Sequence, residues 1–192
     1  MPDIAANALT VTAKRLEFYE TEVGATASLL KAELFTPKVW DPCCGRGRIT
    51  RELLAAGYQV VATDVHDWGF GDVRNQDFLA ARYPAADSVV MNPPFSKACD
   101  FVDHAFDLGC RKVAAFQRWS WYEGRTRLLQ FWSRRPPNRV YCFSDRVSCY
   151  RGDLDEAAIA AMSNTPTAHG WFVWERGQPF GTVSGHLLMD RS

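Results

Sequence analysis

Val39-Trp40-Asp41-Pro42-Cys43-Cys44-Gly45-Arg46-Gly47 is the stretch that decides the fold. Val39-Trp40 is a short apolar strand, and it runs into a glycine-rich turn at Asp41. Ile49 to Ala56 reads as the following helix, with Gly57 as its C-terminal cap. Gln59 to Thr63 is the next strand, and it ends on Asp64. Strand, glycine turn, helix and strand make one βαβ unit. In open α/β sheets ligands sit at the carboxyl ends of the strands. That rule points to Asp41, the turn and Asp64.

Outward from this unit the same alternation continues. Ala25 to Leu34 has helical periodicity and stops before Pro37. Downstream, Ser88 to Met91 is an apolar strand, and Ala98 to Leu108 an amphipathic helix closed by Gly109. Lys112 to Phe116 is a strand and Gly124 to Trp132 a helix. Val140 to Ser144 and Trp171 to Glu175 are strands of aromatic and β-branched content. Between them, Asp153 or Asp155 caps a short helix through Met162. The expectation is an α/β fold: a Rossmann-like, mostly parallel sheet with helices on both faces and an antiparallel edge hairpin from the last two strands.

The glycine turn narrows the ligand. The dinucleotide signature G-x-G-x-x-G breaks at Thr50, and no G-K-[ST] phosphate loop is present. A nucleoside ligand without a pyrophosphate fits better, and S-adenosylmethionine is one. Asp64, 17 positions after Gly47, is placed to accept hydrogen bonds from ribose hydroxyls. Asp41 either holds the ammonium of the amino-acid tail or orients the turn around it. Asp77-Phe78 adds a carboxylate beside an aromatic that can flank an adenine ring.

The Ser88 to Met91 strand ends on Asn92-Pro93-Pro94-Phe95. Two prolines remove two backbone donors and stiffen the chain, so the carbonyl between them has a fixed direction. The Asn92 amide oxygen is a second acceptor that cannot ionise. Two such oxygens can take both hydrogens of one NH2 group. The amino nitrogen of adenine is a weak nucleophile because its lone pair is delocalised. Acceptors on its hydrogens free that lone pair for attack on a methyl group, so catalysis is positioning and preorganised polarity. Phe95 supplies a stacking face for a planar group, as a base flipped from a duplex requires.

Composition adds bounds. A chain of 192 residues, 47% hydrophobic, suits one compact domain with a real core. Net charge is zero, but residues 111–151 hold ten basic side chains against Glu123 and Asp145. That segment is either a polyanion-binding surface or a solvated face balanced elsewhere. The six cysteines form no C-x-x-C pair and have no histidine at zinc-ligand spacing, so no metal site is expected. Reduced thiols in a cytoplasmic protein are the plain reading. No segment reads as a signal peptide or a membrane span.

With these residues in place, the chain resembles class I S-adenosylmethionine-dependent methyltransferases. Within them it looks like the amino-group DNA enzymes, especially small phage-type N6-adenine methyltransferases. Asp41-Pro42-Cys43-Cys44-Gly45-Arg46-Gly47 matches the cofactor loop, Asp64 the ribose-binding acid, and Asp77-Phe78 the adenine-contacting pair. Asn92-Pro93-Pro94-Phe95 matches the catalytic tetrapeptide. Phe18-Tyr19-Glu20-Thr21, before Ala25 to Leu30, resembles the segment that closes over the methionine end, which implicates Tyr19 and Thr21. The family usually has proline where Glu22 stands. Trp121 to Arg125, Pro136-Pro137, Arg139 to Ser144 and Trp171 to Glu175 also resemble the phage-type group.

The resemblance implies an N-methyltransferase with S-adenosylmethionine as cofactor and a nucleic-acid partner, DNA ahead of RNA. It divides the chain into an N-terminal extension over residues 1–17 and one catalytic domain over residues 18–192. No separate target-recognition domain is expected, so loops, a specificity partner or a homodimer would read the substrate. On that reading the Trp119 to Trp132 segment faces the DNA backbone and the flipped base; the alternative is a helix with tryptophans in the core. Ribosomal-RNA bases and protein glutamine are other acceptors for the same chemistry. A non-catalytic binding module is the competing class of function.

Overall fold

The computed structural model describes residues 17–72, 75–152, 154, 158, 167–179 and 182–189. Nine strands and three helices of eight or more residues organise them. The strands are β1 (Tyr19–Thr21), β2 (Lys38–Asp41), β3 (Gln59–Ala62), β4 (Ser88–Met91), β5 (Lys112–Arg118), β6 (Arg139–Phe143), β7 (Cys149–Arg151), β8 (His169–Glu175) and β9 (Val183–Leu187). The helices are α1 (Ala25–Ala32), α2 (Arg48–Ala55) and α3 (Ala98–Asp107).

The main sheet has the order β3-β2-β4-β5-β8-β6-β9. β3, β2, β4 and β5 pair in parallel, as short apolar strands separated by crossovers should. β8 inserts between β5 and β6, antiparallel to both. The expected antiparallel pair of late strands is thus present, but it is not the edge. β9 lies outside it, parallel to β6. Val183 in β9 is exposed, and the strand carries Ser184, Gly185 and His186, a polar composition that hides it from periodicity.

Alternation along the strands sorts the core into two layers. Val39, Val90, Ala114, Phe116, Trp171 and Val173 pack against α1 and α2 through Leu29, Ile49 and Leu53. Trp40, Val89, Met91, Val113, Ala115, Phe172 and Trp174 pack against α3 and the aromatic segment after β5. Each fully buried side chain of this kind stabilises by about 1.5–3 kcal/mol. The glycine turn and the Asn92 tetrapeptide leave the parallel strands at the same end. The strand order reverses between β2 and β4, which opens a crevice there.

Local details differ from the sequence reading. α1 ends at Ala32 because Glu33 turns extended, at φ −129°, and carries its carboxylate to Lys112, Arg139 and Tyr141. β5 runs on through Gln117 and Arg118. The expected helix over Gly124 to Trp132 is one α turn (Arg125–Arg127) followed by wider π turns (Leu128–Trp132). Phe131 and Trp132 are buried against Trp121 of the preceding turn, so these two tryptophans belong to the core, while Trp119 is half-buried. β1 and β7 form a separate two-stranded antiparallel sheet that periodicity did not reveal, each being three residues long.

Four of the ten basic side chains of the segment are neutralised from outside its own stretch. Arg134 and Arg135 pair with Asp103, Arg139 with Glu33 and Glu175, and Lys112 with both of those glutamates. The local charge excess is therefore mostly structural at these four positions. The helix expected from Asp153 or Asp155 to Met162 lies outside the described residues, as does the N-terminal extension apart from Glu17. Among the described residues no helix is long and apolar enough to cross a membrane.

Candidate active site

A cleft of about 180 Å³, open to solvent, lies over the carboxyl ends of β2, β3 and β4. Pro42 and Cys43, at the start of the glycine turn, line it. Gly45 has φ +53° and Gly47 has φ +86°, backbone that L side chains rarely adopt. A Cβ on Gly45 would meet the Phe18 ring at 2.5 Å, and one on Gly47 would meet Phe70 at 2.4 Å. In the protein these glycines therefore admit aromatic rings.

Asp64 lies two residues beyond β3 and holds the turn. Its carboxylate accepts from the backbone N–H of Gly45 (2.9 Å) and His66 (2.9 Å) and from the Trp68 indole N–H (3.2 Å). Two oxygens offer about four acceptor sites, so capacity for one further donor remains. Burial pushes its pKa up, against those hydrogen bonds. Asp41 lies deeper and is fully buried. It accepts from the Thr50 hydroxyl at 2.7 Å, which explains a threonine where dinucleotide folds have their third glycine. Burial, with Asp64 adding, raises the Asp41 pKa to about 7. Of the two roles open to Asp41, orienting the turn is the one its geometry serves. Cys43 and Cys44 flank it as free thiols that burial pushes up.

Asn92 is clamped from the other side. Its Nδ2 donates to the Tyr19 carbonyl (2.9 Å), the Thr21 hydroxyl (3.1 Å) and the Cys149 sulfur (3.3 Å). All three partners come from the small β1–β7 sheet, where Thr21 pairs with Cys149. The clamp spends the donor end of the amide and leaves Oδ1 as an acceptor. Glu22 anchors the same sheet. Its carboxylate accepts from Ser148 N at 2.6 Å, which gives a reason for glutamate there.

Beyond Asn92 the tetrapeptide divides. Pro94 lines the cleft. Pro93 turns its carbonyl to Gln117, whose Nε2 donates at 3.0 Å. Phe95 stacks against Tyr19, with centroids 5.3 Å apart, and the Arg118 guanidinium lies 4.3 Å from its ring centre. The planar group on Phe95 in the free protein is thus an arginine. His169 neighbours both Phe95 and Phe116 and is held neutral, burial lowering its pKa to about 4.

The structure brings Tyr19, Pro42, Cys43, Asp64, Asp77, Phe78, Asn92 and Pro94 to one cleft. Thr21 and Gly45 line a smaller recess beside it, which shares Tyr19, Cys43 and Asn92. Asp77 caps the turn at Phe78–Ala80 by accepting from Leu79 N at 2.9 Å. Phe78 is held by Trp40 and Phe101, with centroids at 4.9 and 5.0 Å. Asp41, Gly47, Pro93 and Phe95 line neither space; they shape the turn or the far side of the tetrapeptide. Sequence reading missed Trp68, which stacks on Phe18 at 3.9 Å over the cleft. A tryptophan in the loop after β3 was the available signal.

No protein-family model and no curated protein matches the chain. Solved structures do resemble it. A predicted O-methyltransferase, protein Atu636 from Agrobacterium tumefaciens, is 11% identical with a TM-score of 0.55, over 87% of this chain and 86% of that one. A dimethyladenosine transferase from Plasmodium falciparum is 12% identical with a TM-score of 0.53, over 81% and 62%. A chain from Vibrio vulnificus, described as a modification subunit of a type I restriction enzyme, is 11% identical with a TM-score of 0.53, over 90% and 48%. This chain spans less than two thirds of the length of the last two. At these identities the likeness is one of fold, and the fold is the Rossmann-like class I methyltransferase fold.

Proposed function

We propose that the chain is an S-adenosylmethionine-dependent N-methyltransferase, with the N6 amino group of adenine in DNA as its acceptor. The observation that carries this is the Asn92 clamp. Three acceptors on Nδ2 fix the amide so that Oδ1 is left to receive a hydrogen from an NH2 group.

The residues of the cleft fit the cofactor. Asp64 and Asp77 keep acceptor capacity for hydroxyl and amino donors, and the Phe18–Trp68 pair and Phe78 give apolar walls. The cofactor supplies an electrophilic methyl group on a sulfonium. Asn92 Oδ1 and the second lone pair of the Pro93 carbonyl would hold the amino hydrogens and so direct the nitrogen lone pair. Both acceptors are fixed before the substrate arrives, which is where preorganised polarity gains its rate effect. Phe95 would hold the ring of the acceptor once Arg118 leaves its face.

The test is transfer of labelled methyl groups to DNA, RNA and protein fractions, followed by digestion of the product. N6-methyladenine from DNA is the expected outcome. Label in ribosomal RNA or in glutamine would keep the chemistry and replace the acceptor. No transfer to any fraction, with the cofactor bound, would favour a binding module instead.

A further inference from the structure

Gln117 stands near the end of β5, in the sequence Lys112-Val113-Ala114-Ala115-Phe116-Gln117-Arg118. Its side chain is fully buried. Nε2 donates to the Pro93 carbonyl at 3.0 Å, across from the neighbouring strand β4 to the residue just beyond Asn92. Oε1 is buried with no partner among the described residues. A buried amide with one unpaired end is a poor choice for stability, since a buried acceptor without a partner gives up its hydrogen bond to water and gains none. A leucine would fill a similar space and bring no acceptor of its own. What the amide gives in return is a donor on one particular carbonyl.

That carbonyl lies between the two prolines. Neither Pro93 nor Pro94 has a backbone N–H, so the local chain has few hydrogen bonds with which to fix its own peptide planes. Gln117 supplies one from outside. It also polarises the carbonyl along one lone pair and leaves the other for a further donor. Asn92 is held by the β1–β7 sheet on one side, and Pro93 by Gln117 on the other.

Resting on the methyl-transfer reading, we infer that Gln117 is a positioning residue for the acceptor group, setting the Pro93 carbonyl at the angle from which it receives the second amino hydrogen. Gln117 does not touch the reacting atoms. It acts through Pro93.

Two variants of the full chain test this, each read for thermal midpoint, cofactor affinity and turnover on the acceptor found above. Gln117→Leu exchanges one unpaired acceptor, Oε1, for another, the Pro93 carbonyl, so it should keep the thermal midpoint close to wild type and bind S-adenosylmethionine as before, while kcat falls roughly 10-fold or more. Gln117→Glu should be poorly active when ionised, because its oxygens face the Pro93 carbonyl. It should recover as the pH falls and the carboxyl gains a donor O–H, while cofactor affinity stays level. Wild-type kcat in Gln117→Leu, or a loss of midpoint, affinity and turnover in parallel with a flat Gln117→Glu pH profile, would overturn the inference. A wild-type protein that methylates no acceptor would instead overturn the reading on which it rests, and the inference with it.

Discussion

The Asn92 side chain donates through Nδ2 to the main-chain carbonyl of Tyr19 at 2.9 Å, across 73 positions of sequence. This bond decides which end of the amide is left for a substrate. An asparagine free to flip would offer a donor half the time. Here the Tyr19 carbonyl, which can only accept, fixes the nitrogen, and Thr21 and Cys149 share the same task.

Two substitutions follow from the clamp. Asn92→Ala removes the acceptor and should lower kcat roughly 100-fold, in the range seen when one preorganised polar group is lost. Cofactor affinity should change much less. Thr21→Val keeps the shape of β1 and removes one of the three partners, so a smaller fall, about 3- to 10-fold, is expected. Steady-state kinetics with calorimetric cofactor titration measures both. An Asn92→Ala protein that loses cofactor binding but keeps its turnover would contradict the assignment.

Asp64 is the corresponding point on the cofactor side. Its carboxylate joins the Gly45 turn, the His66 backbone and Trp68. Asp64→Ala therefore frees three donors and releases the loop as well as removing an acceptor. S-adenosylmethionine affinity should weaken roughly 10- to 100-fold, with a smaller change in kcat at saturating cofactor. Unchanged affinity in calorimetry would remove Asp64 from the binding site.

These two positions were legible in the sequence because each ends a predicted strand next to an unusual turn. The βαβ unit around Gly45 and Gly47, the parallel strands and the antiparallel pair of late strands were legible for the same reason: apolar runs, glycine and proline mark them; that this pair lies inside the sheet, with β9 at its edge, was not. The β1–β7 sheet was not. Tyr19 and Cys149 lie 130 positions apart, and neither strand is long enough to show a period. Gln117 was missed because the apolar run of β5 ends one residue before it, although its backbone continues the strand by pairing with Gly170 of β8. The Trp121–Trp132 segment misleads in the opposite sense. Arginines beside tryptophans look like a ligand surface, but whether an aromatic faces solvent or core depends on where β8 inserts.

Asp41 gives a pH dependence of stability. Its pKa is raised from 3.8 to about 7, chiefly by burial. The folded chain thus holds a proton that the unfolded chain has released between those values. Stability from this group is complete below pH 4 and declines as the pH rises to about 7, then levels off. Asp41→Asn keeps an acceptor for Thr50 and cannot ionise. Above pH 7 it should be more stable than the wild type, by up to about 4 kcal/mol. Near pH 4 the two should be equal. His169 has the opposite effect, its lowered pKa removing stability as the pH falls from 6.5 towards 4. It is common to both proteins, so the difference between their denaturant midpoints across pH isolates Asp41. A pH-independent difference would place its pKa in the ordinary range.

Trp68 provides an optical test of where the ligand binds. The chain has seven tryptophans. Trp40, Trp121, Trp132, Trp171 and Trp174 are buried in the core, and Trp119 packs against Phe172. Trp68 is half-buried at the cleft, stacked on Phe18 and hydrogen-bonded to Asp64. A nucleoside whose hydroxyl donates to Asp64 competes for the same carboxylate and covers the same indole. Adding S-adenosylmethionine should therefore change the tryptophan emission in a saturable way. Trp68→Phe, which keeps the aromatic stack, should abolish most of that change while calorimetry still records binding. If the emission change survives in Trp68→Phe at full amplitude, the ligand lies elsewhere, and the cleft over Gly45 and Asp64 is not its site.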